Sequence, residues 1–275
     1  MNRTEKHQAL KIAVQAARAA GRLMKANLRQ VKIINEATQH DIKLELDVRC
    51  QKLIERTLRR AFPTIPILGE EGVLGDPNAP VRWVVDPIDG TVNFSYGIPH
   101  ACVSIALQVR SPAAKSVDAD GFQSVVGVVY DPFTDELWTA VRGERSKLNG
   151  RTIHVSRRRN LNEAIVALGF AKQTLTLNKM LPTFNGLIHR VRKIRIMGAA
   201  ALSLVYVGTG RMDAYIEYGL RLWDIAAGGL IVECAGGRFR QVSLGADYAY
   251  EILATNAHLA PKLTGVTKRA NGRRV

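Results

Sequence analysis

Cysteine is scarce in this sequence, with three in 275 residues, at Cys50, Cys102 and Cys234. They are odd in number, far apart and set in apolar patterns, which excludes a disulfide framework and reads as free thiols in a reducing compartment. No CxxC or Cys/His spacing exists, so a zinc site built from them is excluded too. No apolar run approaches the ~18 residues of a membrane span. The first residues (Asn2, Arg3, Glu5, Lys6) are charged and lack the apolar stretch of a secretion signal. These absences predict a cytoplasmic protein without membrane contact. Aromatics are only 6% of the chain, and none is interleaved with basic residues as in a stacking platform for single-stranded nucleic acid. Internal repeats and low-complexity segments are also missing.

Acidic residues are outnumbered, 24 against 39 Lys and Arg, for a formal charge of +15. That field attracts anions: phosphorylated substrates, or nucleic acid by nonspecific contact. The basic clusters are Arg157-Arg158-Arg159, Arg190/Arg192/Lys193/Arg195, and a tail over 266–275.

Apolar periodicity predicts helices over Glu5–Leu28 and Asp47–Phe62, the second stopped by Pro63. Short strands are expected at Ile65–Leu68 and Val81–Val85. Alternation predicts three more at Cys102–Val109, Val125–Tyr130 and Glu136–Val141, with a turn at Asp131–Asp135. The first half, about 1–150, thus reads as two helices on an antiparallel-rich sheet. After a loop at Asn149–Asn160, strand and helix signals alternate: Ala164–Leu168, Leu181–Val191, Ile194–Ile196, Ala199–Val207, Asp213–Glu217 and Asp224–Ala235. Gly236-Gly237 closes the last of these. The second half, about 151–265, is therefore a layered α/β arrangement. The last eight or so residues are expected to be disordered.

The most informative stretch is Asp86-Pro87-Ile88-Asp89-Gly90-Thr91, directly after the apolar Trp83-Val84-Val85. Its two carboxylates flank a proline-stiffened turn, and carboxylate oxygens are hard ligands suited to Mg²⁺. A Gly-Thr step opening a short helix aims N–H groups and a positive dipole end at an anion. Glu70, in Gly69-Glu70-Glu71-Gly72, and Asp224, after Trp223, each follow or end an apolar run, which brings them to loops that gather into a cleft. Taken alone, Asp224 also suits a helix cap, and Glu70-Glu71 a solvated turn.

Taken together, these motifs resemble the inositol monophosphatase family of Mg²⁺-dependent, lithium-sensitive phosphatases. The resemblance covers nearly the whole chain. It includes Gly69-Glu70-Glu71, Trp83–Phe94, Val103–Ala106, Gly127–Pro132, Leu148–Gly150, Gly198–Ala200, Trp223–Gly228 and Ala235–Gly237. It implies a single phosphatase domain over 1–275 with an αβαβα layered sandwich of the inositol monophosphatase / fructose-1,6-bisphosphatase type, and a homodimer. It implies two or three Mg²⁺ ions: Glu70, Asp86 and the Ile88 carbonyl hold the first, and Asp86, Asp89 and Asp224 the second. Gly90 and Thr91 N–H groups would bind phosphate. The Thr91 hydroxyl and Glu70 would orient the attacking water, with Asp47 behind Thr91 as proton acceptor. Glu217, with Asp89 and Ala200 nearby, would read a substrate hydroxyl; the competing reading of Glu217 is a strand-end partner for an arginine.

The chain departs from the family over Asn35–Asp47, where Lys43-Leu44 replaces a Val-Thr pair. Lys43 then becomes a candidate to reach the phosphate directly. The expected reaction is hydrolysis of inositol monophosphate or a similar polyol phosphate. Relatives with the same metal core act on fructose bisphosphate, histidinol phosphate or 3′-phosphoadenosine phosphates, and these remain open. A reading of another class, motivated by the basic clusters, is an RNA- or ribosome-associated regulator.

Overall fold

Residues 1–37, 42–111, 121–170, 174–245 and 247–270 are described in the computed structural model. Helix α1 (Arg3–Asn27) opens on a capping box: Asn2 Oδ1 accepts from the Glu5 N–H at 2.9 Å, and Glu5 accepts from the Asn2 N–H at 2.8 Å. Its buried stripe is mostly alanine (Ala9, Ala13, Ala16, Ala17, Ala20), closed by Met24. An antiparallel hairpin follows, β1 (Ile34–Ala37) and β2 (Ile42–Leu44). Helix α2 (Glu45–Ala61) then lies against α1, burying Leu46, Cys50, Ile54 and Leu58.

Eight strands make the first large sheet: β3 (Ile67–Gly69), β4 (Gly72–Leu74), β5 (Val81–Asp89), β6 (Cys102–Arg110), β7 (Phe122–Asp131), β8 (Glu136–Val141), β9 (Lys147–Leu148) and β10 (Arg151–Thr152). The spatial order is β10-β9-β8-β7-β6-β5-β3-β4, antiparallel except where β3 runs parallel to β5. A single short helix, α3 (Thr91–Ser95), stands between β5 and β6. The second half contributes β11 (Ile165–Leu168), α4 (Thr174–Ile188), β12 (Lys193–Arg195), α5 (Ala200–Gly208), β13 (Ala214–Arg221), α6 (Leu222–Cys234), β14 (Arg238–Ser243), β15 (Ala249–Thr255) and α7 (Ala260–Ala270). Its five-stranded sheet is ordered β12-β11-β13-β15-β14, parallel in the first three strands and antiparallel beyond.

Strand alternation sorts the apolar side chains into layers. On one face of the large sheet Trp83, Val85, Val103, Ile105 and Leu107 pack with α1 and α2. On the other, Val84, Cys102, Ala106 and Val129 pack with α5 and α6. Those two helices are apolar nearly all round, as a helix sandwiched between two sheets must be. Their far side meets Tyr215, Ile252 and Ala254 of the small sheet. Helices α4 and α7 close the stack over Val166, Leu168, Ile216 and Leu253. The result is the expected αβαβα sandwich.

Three sequence expectations need correction. Strand β5 does not stop at Val85 but runs through Asp89. Helix α4 begins at Thr174 rather than Leu181; Pro182, which favours a first helical turn, lies inside it. Helix α7 carries the chain to Ala270, where a disordered tail was expected from about 268. The remainder of that tail, 271–275, lies outside the described residues. At the loop between halves, Ser156 Oγ donates to Asp213 Oδ1 at 2.5 Å and Arg158 Nη1 to the same oxygen at 3.0 Å. Asp213 is fully buried, and this anchor was not foreseen.

Candidate active site at the β5 bulge

A regular strand would send Asp86 and Asp89 to opposite faces, because side chains alternate with period two. Here Asp86 pairs with Ser104 and Asp89 with Cys102, so three steps along β5 match two along β6. This β-bulge places one extra residue between the acids and turns both to the face that meets α5 and α6. Pro87 sits inside the bulge, where its missing N–H costs no ladder bond. Asp86 Oδ1 accepts from the Ile88 N–H at 3.0 Å, which fixes the turn.

Gly90 follows with φ +89°, ψ 33°. A Cβ there would stand 2.9 Å from the His100 carbonyl oxygen, so only glycine fits both the backbone and the space. It starts α3, whose first N–H groups have no acceptor one turn earlier. The Thr91 hydroxyl donates to the Ile88 carbonyl at 2.8 Å.

Glu70 extends from the end of β3, its N–H donating to the Val85 carbonyl at 3.1 Å. Gln51 of α2 supports that turn by accepting from the Glu71 N–H at 2.9 Å. Asp224 is the third residue of α6, and its Oδ2 accepts from the Arg221 N–H at 2.7 Å. Asp47, buried in the first turn of α2, accepts from the Leu44 N–H at 2.7 Å. Both Asp89 oxygens are engaged by the start of α5, accepting from Ala200 N–H at 3.0 Å and Ala201 N–H at 2.8 Å. Cys102 Sγ adds a contact of 3.5 Å to the same carboxylate.

Electrostatics show that these acids share one corner. Burial, then the charges of Asp224, Asp47 and Glu71, hold Glu70 well above the usual carboxylate range. Burial, then Glu70, Asp89 and Asp224, do the same to Asp86, which is hydrogen-bonded to Glu70 side chain to side chain. Burial and the charge of Asp89 push Asp224 up to about 8. Asp89 rises by burial to about 6, held down by the N–H groups of Ala200 and Ala201. Asp86 and Asp89 are buried and Glu70 and Asp224 half-buried; carboxylates clustered there cannot all be ionised without a cation, so protons take its role.

Among the described residues no three acidic, histidine or cysteine side chains are closed into a ready-made coordination shell. The donor set nonetheless fits a hard divalent cation. It is all oxygen, from carboxylates that repel one another, and each bonded oxygen of Asp86, Asp89 and Asp224 keeps a second lone pair.

Of the predicted site residues, Glu70, Asp86, Ile88, Asp89, Gly90, Thr91 and Asp224 meet at this corner, with Asp47 adjoining Glu70. Ala200 touches it through its N–H. Glu217 is buried on β13, close enough to add to the raised pKa of Asp224, and it accepts a hydrogen bond from the Tyr215 hydroxyl. Lys43 is exposed on β2, its Nζ 4.0 Å from Glu36 on the paired strand. The sequence reading missed Tyr215, Cys102 and Asn93. Asn93 Nδ2 donates to the His100 carbonyl at 3.0 Å and the Met197 carbonyl at 2.9 Å, tying α3 to the segment before α5. Its place two residues after Thr91 was the available signal.

The sequence matches the inositol monophosphatase family over residues 5–271. It is 36% identical over 263 residues to Nus factor SuhB of Pasteurella multocida, covering 94% of this chain and 92% of that one. It is equally 36% identical over 262 residues to inositol monophosphatase 1 of Solanum lycopersicum, covering 91% of each. Among solved structures, the extragenic suppressor protein suhB of Bartonella henselae superposes with a TM-score of 0.84 at 34% identity, covering 95% of this chain and 99% of that one. An IMPase of Thermotoga maritima gives 0.81 at 28% identity, covering 96% and 98%. With the family matched from end to end, by sequence and by fold, this chain belongs to the inositol monophosphatase family.

Proposed function

We propose that this protein is a Mg²⁺-dependent phosphomonoesterase acting on inositol monophosphate or a similar polyol phosphate. The observation that carries the reading is the convergence of Glu70, Asp86, Asp89 and Asp224, from three distant segments, beside the opening turn of α3. Glu70, Asp86, Asp89, Asp224 and the Ile88 carbonyl are the groups that would hold two or three cations. When bound, Mg²⁺ lowers the pKa of a water and offsets charge on the phosphate and the departing alkoxide. The protein itself supplies position and charge, which is most of what phosphoryl transfer requires. Gly90 and Thr91 N–H groups receive phosphate oxygens. The Thr91 hydroxyl, with Glu70, orients the water, and Asp47 is the proton acceptor behind them. Lys43, on the strand beside α3, reaches the phosphate on leaving Glu36, so Lys43→Ala raises KM.

The test is phosphate release with and without Mg²⁺ from inositol 1-phosphate, fructose 1,6-bisphosphate, histidinol phosphate and 3′-phosphoadenosine 5′-phosphate. Inositol 1-phosphate is expected to lead. Absence of Mg²⁺-dependent release from all four refutes the reading.

A second reading rests on two observations: the charge of +15, and relatives that bear the name Nus factor SuhB. On it, the chain also associates with nucleic acid or a transcription complex. RNA binding that survives physiological salt supports it, whereas binding that collapses with modest salt is nonspecific charge. Exposed Tyr96, Ile98 and Ile196 supply apolar surface for a homodimer, which the sedimentation of the purified chain tests.

A further inference from the structure

Strand alternation puts Tyr215 and Glu217 on the same face of β13, aimed between the small sheet and α6. Both are buried, at 3% and 8% exposure. The Tyr215 hydroxyl donates to Glu217 Oε2. On the neighbouring parallel strand, the N–H of Gly169 donates to the Ile216 carbonyl at 3.2 Å, extending the β11–β13 ladder by one residue. This brings the Gly169 Cα against the Glu217 carboxylate. A Cβ on residue 169 would fall 1.6 Å from Oε2 and 2.6 Å from Oε1. Glu217 is thus fixed from two sides, by a donor two residues before it and by a strand that is bare at that point.

Ordinary packing does not require this arrangement. The alternating position is a natural place for an apolar residue in a core that includes Ala167, Leu222 and Ile225. A buried carboxylate is costly unless bonded, and here a phenol is positioned to bond it. The Tyr215 pKa is itself driven up, by burial and then by Glu217, so the hydroxyl stays a neutral donor.

We propose that Tyr215 and Gly169 are positioning residues that hold the Glu217 carboxylate in the orientation that reads a substrate hydroxyl, and so set preference for polyol phosphates over simple alkyl phosphates. This rests on the phosphatase reading above. Tyr215 occupies one lone pair of Oε2, and a carboxylate has further lone pairs that can accept from a substrate hydroxyl. A site built to bond a hydroxyl rejects an analogue that lacks it. Loss of orientation therefore erodes the preference and leaves the chemical step alone.

The experiment compares kcat/KM for inositol 1-phosphate with that for cyclohexyl phosphate, which has the same ring and no free hydroxyl. It uses the wild type, Tyr215→Phe and Gly169→Ala, all with Mg²⁺. Gly169→Ala meets only the far end of the Glu217 side chain, so it moves that carboxylate with little cost to the fold. The expected result for both variants is a fall of about 10- to 100-fold on inositol 1-phosphate, the loss typical of a hydrogen bond to a charged group. Turnover of cyclohexyl phosphate is expected to stay within about twofold by the same reasoning. Equal losses on both substrates, or no loss on either, overturn the proposal while leaving the phosphatase reading intact. A wild type inactive on both substrates overturns the phosphatase reading and this proposal with it.

Discussion

Without a divalent cation, the stability of this protein should fall as pH rises through neutrality. Asp224 is pushed up to about 8 and Asp89 to about 6 in the folded state, against ordinary values near 4 in the unfolded chain. A carboxyl whose folded pKa is raised binds its proton more tightly when folded. Its stabilising contribution is therefore complete at low pH and is lost as pH climbs through the folded pKa. Between pH 6 and 8 Asp224 is still protonated in the folded state and ionised in the unfolded one. One proton's difference is worth about 1.4 kcal/mol per pH unit, or roughly 3 kcal/mol across that window. At about 2–4 °C per kcal/mol for a chain of this size, the midpoint should drop by about 6–12 °C.

The assay is thermal unfolding in EDTA at pH 6 and pH 8, repeated with excess Mg²⁺. Mg²⁺ should recover most of the loss at pH 8 and give a smaller gain at pH 6, where protons compete for the same oxygens. Asp224→Asn should flatten the slope in EDTA. The sign is diagnostic, because losing net positive charge as pH rises would by itself relieve repulsion and raise stability. A midpoint in EDTA that is flat or rises from pH 6 to 8 refutes the shared acidic corner.

Other changes test single parts. Asp86→Asn should lower Mg²⁺-dependent turnover by 100-fold or more, since it removes the carboxylate that borders every other acid in the corner; activity within tenfold of wild type contradicts its role. Gly90→Ala forces a side chain into the left-handed region, costing about 1–2 kcal/mol before the clash with His100 is counted. Urea unfolding should report that loss, and phosphate release should fall with it. Asn93→Ala removes the hydrogen bonds from α3 to the His100 carbonyl before β6 and to the Met197 carbonyl before α5, about 1–3 kcal/mol, measured as a lower urea midpoint with an unchanged slope. Millimolar Li⁺ should inhibit phosphate release and be relieved by added Mg²⁺.

Much of this fold was legible because periodicity and burial agree. The alanine stripe of α1 and the nearly all-apolar α5 and α6 each fit one layer only. What the sequence concealed were effects of pairing. The run from Asp86 to Asp89 reads as a turn because proline and glycine punctuate it, yet β6 keeps it in the sheet as a bulge. That same bulge, invisible without the partner strand, is why two acids three residues apart share a face. Asp224 reads as a cap, and it does bond a backbone N–H, but from the third helical position. The charged strands β9, β10 and β14 carry little apolar signal, and β4 is only three residues long; β14 alternates between exposed and half-buried residues. Tyr215 escaped notice because a tyrosine in a strand is ordinary, and only its contact with Glu217 marks it.

The most direct test is a crystal structure of the protein soaked with Mn²⁺, a scattering substitute for Mg²⁺, with anomalous differences collected at the manganese edge. Strong peaks bounded by Glu70, Asp86, Asp89 and Asp224, and lost in Asp86→Asn, are what the account predicts. Peaks confined to other acids, with this corner empty while Mn²⁺ supports turnover, would contradict it.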